Sequence, residues 1–109
     1  MNRVQLSNAA ANDIREIEAF TVTRFGMKQA LAFLEKLQAS LGVIASMPEI
    51  GNLRPELDPP GYSFRYHAIL KNFIVVYDES SGNIRVARIL HGARNLLNEL
   101  LRDAGAAEE

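Results

Sequence analysis

The sequence predicts an α+β domain in which an N-terminal αα-hairpin packs on one side of a small antiparallel sheet, in the order β-α-α-β-β-β-α. Three observations predict it. Two long stretches in the first half carry apolar residues at helical spacing. The region from Tyr62 to Leu90 is dense in β-branched and aromatic residues broken by turn signals. All four prolines lie between these halves, at Pro48, Pro55, Pro59 and Pro60. Two helices with apolar stripes must bury them on a sheet face, which gives a two-layer domain.

The elements follow in order. Val4 to Leu6 reads as a short strand, and Ser7 or Asn8 offers an N-cap oxygen to the first helix. Ala10, Ile14, Ile17 and Thr21 form its stripe, with Asp13, Arg15, Glu16 and Glu18 mostly off it; Gly26 ends it. The second helix runs from about Met27 to Met47 on the stripe Ala30, Leu34, Leu37, Leu41 and Ile44. One glycine between them makes an antiparallel hairpin the natural reading. Pro48 closes the second helix, because the residue before a proline disfavours the α region. Residues 48–61 read as a loop inside the domain.

Tyr62 to Ile69 is the next predicted strand, Leu70-Lys71-Asn72 a turn, and Phe73 to Tyr77 a strand buried on both faces. Ser80-Ser81-Gly82-Asn83 is a strong turn signal before a strand from Ile84 to Leu90. His91-Gly92 ends the meander. Ala93 to Arg102 has a short helical pattern with Leu96, Leu97, Leu100 and Leu101, and the acidic tail from Ala104 to Glu109 is expected to fray.

Length and composition bound the function. The 109 residues fit a single domain, 1–109. With no cysteine and only His67 and His91, no cofactor or metal is expected. No apolar run approaches the roughly 20 residues of a bilayer span, and the N-terminus lacks a secretory pattern, so the expected location is the cytoplasm and no membrane partner is expected. A net charge of −1 does not suit a whole-surface nucleic-acid binder. Basic residues do concentrate late: Arg65, Lys71, Arg85, Arg88 and Arg94 face only Asp78 and Glu79 over that stretch.

Four stretches together resemble the RelE/ParE toxin superfamily, and its ParE branch in particular. Ser7 to Ile17 is similar to the family's first-helix pattern of Ser, then Ala, Asp, an aliphatic residue and Ile. Met47 to Leu57 resembles its proline, glycine and Arg-Pro-Glu-Leu connection. Tyr62 to Arg65, followed by Ile74 to Tyr77, resembles its central hairpin. Arg88-Ile89-Leu90-His91-Gly92-Ala93-Arg94-Asn95 is the most specific, resembling the ParE ending Arg-aliphatic-Leu-His-Gly-x-Arg-Asp. Asn52 stands where the family often has Arg, and Asn95 where it often has Asp.

The resemblance implies the toxin of a type II toxin–antitoxin pair. It implies a cognate ParD-like antitoxin bound in a hetero-oligomer, and poisoning of DNA gyrase by binding rather than by turnover. The alternative is the superfamily's other branch, ribosome-dependent cleavage of mRNA. Candidate target contacts are Arg65, Arg88, His91 and Arg94, and the same four would serve as phosphate and proton-transfer groups in a nuclease. Leu96, Leu97, Leu100 and Leu101 are the candidate antitoxin contact, as an apolar cluster wider than a core stripe needs. Arg88 has two readings of equal standing, a salt bridge inside the domain or a contact on the open sheet face. His91 reads first as a structural residue at the strand end, and Tyr77 as core.

Overall fold

The structure is a computed structural model that describes residues 3–70 and 72–91. Arg94 and the four leucines of the candidate antitoxin contact lie outside the described residues.

The chain opens with β1 (Arg3–Leu6), then α1 (Asn8–Phe25) and α2 (Met27–Ser46). The proline-rich stretch contains 3₁₀ turns at Pro48–Ile50 and Pro55–Leu57 around a two-residue strand, β2 (Asn52–Leu53). The meander is β3 (Arg65–Ile69), β4 (Phe73–Ser80) and β5 (Asn83–His91). Thus the predicted loop holds a short edge strand, and β3 begins three residues later than Tyr62. The tight turn is Ser81–Gly82, with φ of 53° and 78° and Ser80 paired to Asn83. Two successive positive φ angles match the right-handed twist of a hairpin.

The sheet order is β1-β5-β4-β3-β2. Neighbours among β2 to β5 are antiparallel, as expected, but β1 runs parallel to β5, with Val4 opposite Ile84 and Leu6 opposite Val86. The five-stranded sheet is therefore mixed. The long connection that parallel neighbours require is the rest of the described fold, the helical hairpin followed by β2, β3 and β4.

Both predicted stripes face the sheet. Ala10 of α1 and Ala30, Leu37 and Ile44 of α2 are buried, with Ile14, Ile17 and Leu41 packed against the core. They meet Val75, Tyr77, Ile84, Val86 and Ile89. The opposite face carries a second cluster of Phe64, Tyr66, Val76 and Leu90, edged by Leu57 and Ala87. Val75, Val76 and Tyr77 are each fully buried, which explains the unbroken apolar run of β4.

Ser7 joins β1 to α1 and ties both to β5. Its Oγ accepts the Ala10 N–H at 2.9 Å and donates to the Ala87 carbonyl at 2.8 Å, while its N–H donates to the Val86 carbonyl. Ser7→Ala removes the cap, worth about 1 kcal/mol, and a second hydrogen bond of similar size. We expect urea unfolding to report a loss of about 1–2 kcal/mol, against little change for Ser46→Ala at the exposed end of α2.

Candidate functional site

Asp13 is the first unexpected element. Ala10, Asp13, Ile14 and Ile17 fall at i, i+3, i+4 and i+7, so Asp13 belongs to the buried face rather than beside it. A carboxylate there needs partners, because an unpaired buried charge is costly. Its Oδ2 accepts from Arg88 Nε at 2.7 Å and its Oδ1 from Arg88 Nη2 at 2.8 Å. Oδ2 also accepts the Ile89 N–H at 2.9 Å. The side chains of Asp13 and Arg88 are 11% and 13% exposed, so the pair is largely withdrawn from water. β1 stops pairing at Val86, and beyond it the carboxylate serves the β5 edge where a neighbouring strand would. Of the two readings of Arg88, the structure shows the ion pair within the domain.

Arg65 has a different role. Its Nη1 donates to the Gly51 carbonyl at 2.8 Å, which draws the proline-rich loop onto β3. The same loop is fixed by Tyr77, whose Oη accepts the Gly51 N–H at 2.9 Å and donates to the Pro48 carbonyl at 2.7 Å. Burial raises the Tyr77 phenol above its ordinary range, offset in part by the hydrogen bond from Gly51. Asp58 holds the far end of the loop: its Oδ1 accepts from Tyr66 Oη at 2.8 Å and from the Phe64 N–H at 3.2 Å.

Burial raises the Tyr66 phenol well above its ordinary value, and the Asp58 carboxylate raises it further. The folded form therefore binds the phenolic proton more tightly than the unfolded chain does. The stability this supplies is intact below the unfolded pKa of about 10 and is lost as pH rises above it. We expect Tyr66→Phe to flatten the alkaline loss of stability in urea melts above about pH 10. An identical alkaline slope in the two proteins would refute the assignment.

The predicted cluster is thus divided. Arg65 reaches the loop beside β3, and Arg88 reaches α1 beside β5, with β4 between the two strands. The sheet face away from the helices is centred on an apolar cluster rather than on a row of arginines. His91 closes β5 with its ring edge-on to Phe73, at a centroid distance of 5.3 Å. The Asp13–Arg88 pair and His91 line one groove between the two helices and the ends of β4 and β5. Its volume is about 1,320 Å³, and Ile17, Phe20, Phe33, Phe73, Ile89 and Leu90 supply its apolar surface. Among the described residues no group of three His, Asp or Glu is placed to hold a metal ion. No helix among them is long and apolar enough to cross a membrane.

Comparison with known proteins agrees with this architecture. The family described as the ParE toxin of the type II toxin–antitoxin system, parDE, matches residues 4–96. No curated protein matches the sequence. Among solved structures, a chain from the chromosomal ParDE toxin–antitoxin system of P. aeruginosa aligns with a TM-score of 0.69 at 21% identity. The alignment covers 84% of this chain and 96% of that one, and at this identity it speaks for the fold.

Proposed function

Because this chain belongs to the ParE toxin family of type II toxin–antitoxin systems, we propose that it inhibits DNA gyrase by binding and is neutralised in the cytoplasm by a cognate ParD-like antitoxin. An antitoxin partner accords with membership of such a system.

The observation that carries binding over RNA cleavage is where the guanidinium groups go. Cleavage requires cations that can close on a phosphate and its developing charge. Here Arg88 is bidentate to Asp13 and Arg65 is bonded to the Gly51 carbonyl. Redirecting Arg88 to RNA would leave Asp13 as an uncompensated charge in a poorly hydrated place. In this reading Arg65 and Arg88 serve the target by holding the surface that meets it, while His91 at the end of β5 is a candidate contact, and Arg94 is one on its sequence position alone. The leucines at 96, 97, 100 and 101 are assigned to the antitoxin on their sequence pattern.

Expression of the chain alone in bacteria tests the proposal. Filamentation and a DNA-damage response should precede any fall in protein synthesis, and co-expression of the antitoxin should abolish both. Prompt translational arrest with intact DNA would replace gyrase with the ribosome as the target.

A further inference from the structure

The bend of the helical hairpin is apolar where it meets solvent. Phe20 and Phe25 at the end of α1, and Met27 and Leu31 at the start of α2, are each more than half exposed. No residue from Ile14 to Gln29 is buried. Among the described residues, those nearest the bend that pack on the main core are Ile17 and Phe33. The bend therefore stands clear of the core, and its apolar side chains serve no packing there. Single exposed apolar residues are ordinary, but a cluster of them marks a contact surface.

Their placement says what kind of contact. Phe20 and Phe25 line the groove between the helices and the sheet, with Gln29, Ala32 and Lys36 on its α2 wall. Met27 and Leu31 are one turn apart on α2 and lie outside that lining, roughly opposite it around the helix at 100° per residue. A peptide in the groove would cover the two phenylalanines and leave Met27 and Leu31 in water. A medium that surrounds the bend covers all four.

The polar groups of the bend suit an apolar medium. The Thr21 and Thr23 hydroxyls donate to the carbonyls of Ile17 and Ala19 at 2.7 and 2.9 Å, and the Gly26 N–H donates to those of Thr21 and Val22. These donors need no water. Residues 19–34 include Arg24 and Lys28 and no acidic residue. The Arg24 guanidinium lies 5.5 Å from the centre of the Phe20 ring, a long basic side chain laid along apolar surface with its charge at the end. Apolar side chains with cations beside them and no acid match the boundary between acyl chains and anionic headgroups.

We infer that the bend of the hairpin docks on an anionic lipid surface, with Phe20, Phe25, Met27 and Leu31 at the acyl boundary and Arg24 and Lys28 among the headgroups. A docking of this kind is peripheral and reversible, and it requires no spanning segment. It goes beyond the toxin reading and does not rest on it, because no antitoxin or target enters the contact.

Flotation of the full chain with lipid vesicles tests this. The protein should float with vesicles of phosphatidylcholine and phosphatidylglycerol in equal parts, and far less with phosphatidylcholine alone. Added salt should weaken the binding. Phe25→Ser/Met27→Ser should lower the partition by about tenfold or more, with circular dichroism melts unchanged, whereas Leu53→Ser, an exposed apolar residue on the sheet edge, should not. Arg24→Gln/Lys28→Gln should remove the preference for the anionic lipid. The chain has no tryptophan, so Phe25→Trp reports the bend directly. Its emission should shift to the blue on adding the mixed vesicles and be quenched by lipids brominated in the acyl chain. No flotation with the mixed vesicles would overturn the inference, as would an equal loss from Leu53→Ser or a tryptophan indifferent to lipid. Self-association without lipid that Phe25→Ser/Met27→Ser abolishes would assign the bend to a second copy and overturn it too. If Phe25→Trp fails to fold, Met27→Trp carries the same readings.

Discussion

Removing Asp13 is expected to cost this protein about 3–5 kcal/mol, the usual cost of breaking a largely buried ion pair. Against a total stability of about 5–15 kcal/mol for a domain, Asp13→Ala should melt far below the parent or accumulate poorly. The reason is an asymmetry. The carboxylate accepts two hydrogen bonds from Arg88 and one from the Ile89 N–H, so its loss removes the charge that faces the guanidinium and leaves a strand-edge donor without its acceptor. Arg88→Ala should be nearly as damaging, since it leaves Asp13 charged and mostly withdrawn from water. The double variant Asp13→Leu/Arg88→Met should be more stable than either alanine variant, because no buried charge is left. Arg88→Lys should not rescue the parent stability, as an ammonium cannot reproduce the two-pronged contact. Urea unfolding of the set decides the matter. Small and additive losses would mean that the pair does not hold α1 to β5. Loss of growth inhibition in Arg88→Ala at unchanged stability would instead make Arg88 a direct contact with the target.

Gly51→Ala is the second change expected to have a large effect. The φ of Gly51 is −76°, which any residue adopts, so the requirement is space rather than backbone freedom. A Cβ would lie 2.7 Å from Tyr77 Oη and 2.9 Å from its Cε1. Tyr77 is fully buried within β4 and cannot retreat without disturbing the core. We expect a loss of about 1–3 kcal/mol from overpacking, with more if the hydrogen bonds to Gly51 and Pro48 are broken. Tyr77→Phe should itself cost about 1–3 kcal/mol by leaving the Gly51 N–H without an acceptor. Combining the two should cost less than their sum, because the nearest clashing atom is gone. Strict additivity in thermal melts would show that the alanine is accommodated by loop movement instead. Since Arg65 holds the same loop through the Gly51 carbonyl, the variants should also loosen β2 and its pairing to β3.

The boundaries of the fold were legible where one local rule governed. Ser7 as a cap, Gly26 at the hairpin bend, Pro48 at the helix end and Ser81-Gly82 at the strand turn each act within a few residues. Asp13 was legible in principle. It sits at i+3 in an apolar stripe, and that placement alone demands a cation; what the sequence did not show was which one. Tyr77 shares a strand face with Phe73 and Val75, so its burial followed, but its hydroxyl contacts cross 26 and 29 residues of chain.

Taken by itself, the sequence determined the α+β class, the order of the described elements apart from the short strand β2, the faces the helices bury, and through its motifs the toxin family. Periodicity, capping and turn chemistry act over one or two turns of chain, and the sequence records them directly. Tertiary structure alone decided that β1 runs parallel beside β5, that Arg88 pairs with Asp13, and that Arg65 is drawn to the loop rather than to an open sheet face. Those outcomes depend on which distant groups share a poorly hydrated space. There a charge or a strand-edge amide takes the partner that packing brings within about 3 Å.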